Sequence, residues 1–145
     1  MWYIVNVEAA ICKDGYYLMI VRGELESHAP GMLSFPAGKV EDVLNQEQVL
    51  ENTLQREIRE EVGIEIYPEM AYIESVVFTT DDGKPVVDIV FLCRYLNGTP
   101  AINDPGEVAE IHWMTAKEAA EHPRTPPWLL RSLIKVERKR VELDW

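Results

Sequence analysis

Residues 56–64 read REIREEVGI. An arginine and three glutamates, Arg56, Glu57, Glu60 and Glu61, stand at the end of a run in which Leu50, Leu54, Ile58 and Val62 recur every four residues. That recurrence predicts a helix from about Glu47 to Val62 with one buried stripe, closed by Gly63. With about 3.6 residues per turn, Glu57 and Glu61 share one face and Glu60 lies beside them. On a helical wheel Glu57 and Glu61 sit next to Leu50 and Leu54, at the edge of the buried stripe, so their charges are crowded and partly desolvated. Like charges so placed are destabilising unless something cationic sits among them. Two readings compete: a solvated helix laced by ion pairs such as Arg56 to Glu60, and a metal-binding helix.

The segment upstream favours the metal. FPAGKVE, residues 35–41, reads as a turn in which the small Ala37 and Gly38 let backbone carbonyls approach a bound ion or phosphate. Hard divalent ions take carboxylate and carbonyl oxygens and bridge substrate phosphates.

Further outward, residues 3–12 and 16–22 are β-branched, aromatic and apolar around Lys13-Asp14-Gly15, the pattern of a hairpin. Residues 23–34 read as a loop leading to the apolar step Met32-Leu33-Ser34-Phe35. A second hairpin is expected from residues 70–80 and 85–96 about Asp81-Asp82-Gly83-Lys84, and another strand from Glu107 to Met114. Thr115 followed by Glu118 is a capping box that opens a short helix, and Thr125-Pro126-Pro127 opens a last one through about Arg140. Strands, helix, strands, helices: the order is α+β, in one domain over residues 1–145.

Composition removes several function classes. With 14 basic against 25 acidic residues and a formal charge of -11, duplex nucleic acid is an unfavourable partner. The start, MWYIVNVEAAIC, carries no basic leader, and no apolar run approaches the roughly 20 residues that span a bilayer, so a cytoplasmic protein without membrane association is expected. Cys12 and Cys93 lie in strand-like settings and read as buried free thiols.

Taken together, Pro36-Ala37-Gly38-Lys39-Val40-Glu41 and the run Arg56, Glu57, Ile58, Glu60, Glu61, Gly63, Ile64 resemble the Nudix hydrolase family. Its box is Gly, five residues, Glu, seven residues, then Arg-Glu-apolar-x-Glu-Glu-x-Gly-apolar. One departure stands out: 17 residues separate Gly38 from Arg56 where the pattern has 13, and position 48 is Gln rather than Glu. Four residues are inserted within DVLNQEQVLEN; Glu47 and Glu51 flank the vacant place of the box's first glutamate as alternative substitutes, and that glutamate is not carried over. We expect the insertion to form a loop, with Asp42 or Asn45 as turn or cap residues.

The resemblance implies a Nudix-type α/β/α sandwich with a mixed sheet and a strand-loop-helix-loop motif. It implies metal-dependent hydrolysis of a nucleoside diphosphate linked to another moiety. Glu57, Glu60 and Glu61, with the Ala37 carbonyl, are then the expected ligands of Mg2+ or Mn2+. Arg56 is expected to orient glutamates, with Glu41 as its partner. Glu107, in the loop Asp104-Pro105-Gly106-Glu107, is the candidate base and Glu110 its competitor. Arg22 and Lys39 are candidates for phosphate oxygens. His28 reads as a bystander, Trp113 as core, and Trp128 as core in preference to a stacking platform. The expected partner is a small-molecule nucleotide, with a homodimer left open. A nucleoside triphosphate is preferred to an ADP-sugar, and the intact glutamates favour an enzyme over a binding domain.

Overall fold

The computed structural model describes residues 1–145. Eleven elements follow one another: β1 (Ile4–Lys13), β2 (Tyr16–Arg22), β3 (Leu33–Ser34), β4 (Ala37–Lys39), α1 (Val49–Val62), β5 (Glu65–Ile66), β6 (Ala71–Thr79), β7 (Pro85–Asn97), β8 (Val108–Met114), α2 (Ala116–Glu121) and α3 (Pro127–Leu143). One eight-stranded mixed sheet runs β3-β2-β1-β7-β5, with β4 on β1, β6 on β7 and β8 on β2.

The expected hairpins form, for the local reasons read from the sequence. Asp14 and Gly15 both take positive φ (51° and 82°), as a two-residue loop matched to strand twist requires. β1 and β2 pair only beside that loop, at Cys12–Tyr17 and Lys13–Tyr16. Beyond it they part: β1 pairs in parallel with β7 along nine positions and takes β4 at Asn6–Glu8, while β2 turns to β8. FPAGKVE is therefore not only a turn, because Ala37–Lys39 is a short strand, and Leu33–Ser34 is another. β6 and β7 form the second hairpin.

Apolar side chains cover both faces of the sheet. Leu54, Ile58 and Val62 of α1 pack on Val7, Ala9, Ile11, Leu18 and Ile20. On the opposite face Leu129, Leu133 and Val136 of α3 pack on Ala10, Tyr17, Met19, Val90 and Leu92. The result is the α/β/α sandwich. The capping box of α2 is present, with the Thr115 hydroxyl accepting from the Glu118 N–H at 3.1 Å and the Glu118 carboxylate accepting from the Thr115 N–H at 3.2 Å. Both cysteines are buried and unpaired.

α1 starts at Val49 rather than Glu47, because Gln48 is left-handed (φ 51°) and its side chain caps nothing. Asp42 and Asn45 are left-handed as well, so the inserted segment is a loop. Gly63, also left-handed, closes the helix by donating to the carbonyls of Ile58 and Arg59.

Candidate active site

The four last carbonyls of a helix need outside donors. In α1 the Arg59 carbonyl takes Gly63 N–H, Glu60 takes the Asn103 amide at 3.0 Å, Glu61 takes Asn103 N–H at 3.1 Å and Val62 takes Ala101 N–H at 3.0 Å. The chain between β7 and β8 is thus docked on the C-terminal end of α1. It then turns on Asp104, whose carbonyl accepts from Glu107 and Val108, and delivers Glu107 beside the helix. Gly23 fixes the other side of that turn. Its N–H donates to the Glu107 carbonyl at 2.9 Å, and a Cβ there would lie 2.1 Å from the Gly106 oxygen, so the two backbones touch only because residue 23 is glycine. Gly38 plays the same part toward the helix: a Cβ would stand 2.3 Å from Glu57 Cγ.

Where β1 and β2 part, a cavity of about 240 Å3 opens, and Glu57, Glu61 and Glu107 line it together with Ala37, Gly38 and Glu41. Arg22 and Lys39 line it also, with Asn6 and Glu26, which sequence reasoning did not single out. Burial, then the contact with Glu107 and the charges of Glu107 and Glu57, push the Glu61 carboxyl up to about 9. Burial raises Glu57 as well, against the opposing pull of Glu61 as a hydrogen-bond partner and of Arg56. Two half-buried acids facing a third carboxylate form an all-oxygen donor set whose mutual repulsion a divalent cation relieves, so these residues fit one. No three acidic, histidine or cysteine side chains are already drawn into a coordination sphere.

At this first cavity two expected placements differ from the observed ones. Glu60 does not join the cavity: its side chain is 59% exposed and lies 3.7 Å from Arg56. An i,i+4 pair on the solvent side holds it there. Arg56 also reaches Glu57 at 3.4 Å, but it makes no ion pair with Glu41, which lines the cavity instead. Glu110 is outside, on β8 and bonded to His112 at 2.8 Å, a contact that lowers its pKa. None of residues 42–48 lines the cavity.

A second chamber of about 120 Å3 adjoins the first and shares Asn6, Arg22, Glu26 and Lys39 with it. His28 lines it, so the residue read as a bystander belongs to the groove. Its ring stacks on Phe78 with centroids 5.1 Å apart and planes 24° apart, and on Trp128 at 6.4 Å. Trp128 is 48% exposed and therefore not core, because its place in the first turn of α3 faces the loop after β2 rather than the sheet. Trp113 packs at the edge of the α1 face against Tyr95.

Comparison with known proteins places the fold and the family. Residues 2–134 match the NUDIX domain profile. A MutT NUDIX hydrolase from Burkholderia pseudomallei superposes with a TM-score of 0.77 at 26% identity, over 94% of this chain and 99% of that one. A MutT protein from Methanosarcina mazei gives 0.75 at 24% identity over 95% of each. The NUDIX domain of Shewanella oneidensis NrtR, complexed with ADP ribose, gives 0.71 at 17% identity over 99% and 90%. No curated protein sequence matches the chain. The fold and its relatives define a hydrolase acting on phosphoanhydride bonds. The chain belongs to the NUDIX family. No helix is long and apolar enough to cross a membrane.

Proposed function

We propose that the chain, acting as one domain, is a divalent-cation-dependent pyrophosphohydrolase of a nucleoside diphosphate linked to another moiety, with a nucleoside triphosphate as the foremost substrate. The observation that carries this reading is the meeting of Glu57, Glu61 and Glu107 in one cavity that Arg22 and Lys39 also line. Glu57 and Glu61 with the Ala37 carbonyl would hold Mg2+ or Mn2+. Glu60 would join by exchanging its exposed pair with Arg56, which is worth about 1 kcal/mol or less. When bound there, the ion would supply neutralisation of phosphate oxygens and a positioned water. Glu107 takes the proton of the attacking water as its oxygen bonds to phosphorus and the P–O bond of the anhydride breaks. Arg22 and Lys39 steady the phosphate oxygens, Arg56 holds Glu57 in place, and Glu41 borders the entrance.

A second reading, hydrolysis of an ADP-sugar, draws on the resemblance to the NUDIX domain complexed with ADP ribose. The buried thiols and the absence of a membrane-spanning helix are in keeping with a cytoplasmic setting. A panel of nucleoside triphosphates and nucleoside diphosphate sugars, supplied with Mg2+ or Mn2+ and scored for pyrophosphate, phosphate or sugar phosphate, decides between the readings. Release of pyrophosphate and a nucleoside monophosphate supports the first, and selective release of sugar phosphate supports the second.

A further inference from the structure

We infer that Thr53 is a positioning residue of the cation site, its hydroxyl donating to the Glu57 carboxylate when the site is loaded; the inference rests on Glu57 and Glu61 being ligands of a divalent cation. Thr53 stands on α1 four residues before Glu57 and eight before Glu61, at the head of the row that carries both acids. It is 1% exposed, and its Oγ1 is enclosed with no hydrogen-bond partner in the chain. A threonine inside a helix ordinarily turns its hydroxyl back to the carbonyl of the preceding turn. Thr53 makes no such bond. The hydroxyl therefore brings the fold by itself no gain: valine would fill the same space with nothing left unpaired, and alanine would favour the helix more.

Side-chain direction supplies the partner. Side chains on a helix lean toward its N-terminal end, so each covers the turn before its own. Arg56 and Glu57, three and four places on, therefore lie over Thr53, and they touch one another, with Arg56 Nη1 3.4 Å from Glu57 Oε1. Gly38 confines Glu57 further, because β4 passes so close that a Cβ at residue 38 would stand 2.3 Å from Glu57 Cγ.

In this fold Glu57 has Glu61 as its hydrogen-bond partner. A cation held by both acids takes the place of that contact and frees Glu57 to accept from the hydroxyl one turn below. An ionised carboxylate accepts at about four lone-pair sites, of which a cation and Arg56 occupy only part. Thr53 does not line the cavity, so it reaches no substrate and acts through Glu57. A donor behind a ligand fixes the ligand's orientation and raises the affinity of the site for its metal.

The test sets Thr53→Val, which keeps the shape, beside Thr53→Ser, which keeps the hydroxyl, in the full chain. Two quantities are measured: the melting temperature in excess chelator, and the affinity for Mn2+ alone by titration calorimetry. Thr53→Val should bind Mn2+ at least about fivefold more weakly, the scale of one hydrogen bond to a charged group, yet melt in chelator at the same temperature as the unmodified chain or higher. Thr53→Ser should bind Mn2+ within about twofold of the unmodified chain, because the donor is kept. A side chain that only packs would not separate the two quantities in this way. Mn2+ affinity unchanged in Thr53→Val, or lowered equally in the valine and serine variants, overturns the inference and leaves Glu57 and Glu61 as ligands. A melting temperature that falls in Thr53→Val, or failure of that variant to fold, overturns it as well, since the hydroxyl would then already serve the fold. An unmodified chain that binds no Mn2+ removes the cation-dependent reading and this inference with it.

Discussion

Among single side chains, the roles divide by exposure. Glu57 is 18% exposed and Glu61 is held against Glu107, whereas Glu60 and Glu110 face solvent with basic partners. Glu61→Gln keeps the shape and loses the charge that holds a cation, so kcat/KM should fall at least about a hundredfold while thermal stability is retained or rises, since a neutral amide does not carry the cost of holding this carboxyl protonated above its ordinary range. Glu60→Gln should lose activity as well, and undiminished turnover in either variant contradicts the metal-helix reading. Glu107→Gln should lower turnover roughly a hundredfold with cation affinity nearly intact, whereas Glu110→Gln should be close to unmodified protein. Reversed effects of these two substitutions would transfer the base to Glu110. Much of this was legible in the sequence, because the i,i+4 spacing of Glu57 and Glu61 dictates a shared face. The separation of Glu60 from the cavity was not, since a long side chain on a helix edge chooses between partners that only tertiary packing supplies. The close approach of Gly23 to Gly106 was equally hidden, for nothing local distinguishes a glycine that admits a distant backbone from one that merely ends a strand.

Among elements, the long and periodic ones were readable and the short ones were not. α1, α3 and the four strands of the two hairpins follow from spacing and turn residues. β3, β4 and β5 comprise two or three residues each and carry no periodicity, so only their partners define them. The parallel pairing of β1 with β7 joins residues about 80 apart and leaves no local mark. The inserted segment shows the same division. Its loop character followed from Asp42 and Asn45, but its three left-handed residues delay the helix to Val49. Loops of this kind tolerate length changes far better than the elements they join. Deleting Val43 to Gln46 should therefore leave cation affinity within about threefold, because the stripe from Leu50 onward stays in register, and should change substrate preference more than metal dependence. A deletion variant that folds yet no longer binds the cation would show that the insertion shapes the metal site.

At the scale of the whole molecule, an excess of negative charge surrounds a sheet whose parted strands bury still more of it. Glu61 has a folded pKa of about 9 against an ordinary 4.5. Its contribution to stability is thus fully present below about pH 4.5 and is lost as pH rises through about 9. Metal-free protein should lose melting temperature over that interval, and saturating Mg2+ or Mn2+ should restore it most at the alkaline end, where the carboxylates no longer hold a proton. A melting temperature flat with pH in chelator would contradict the crowding of these acids. The account turns on cation-dependent attack of water on phosphorus in this cavity. Its most direct test is hydrolysis of the best nucleotide in 18O-labelled water, with divalent cation and then with excess chelator, with the products analysed by mass spectrometry. The account predicts one labelled oxygen in a released phosphoryl product and turnover that stops on chelation. Turnover that persists in chelator, or cation-supported products that carry no label, would contradict it.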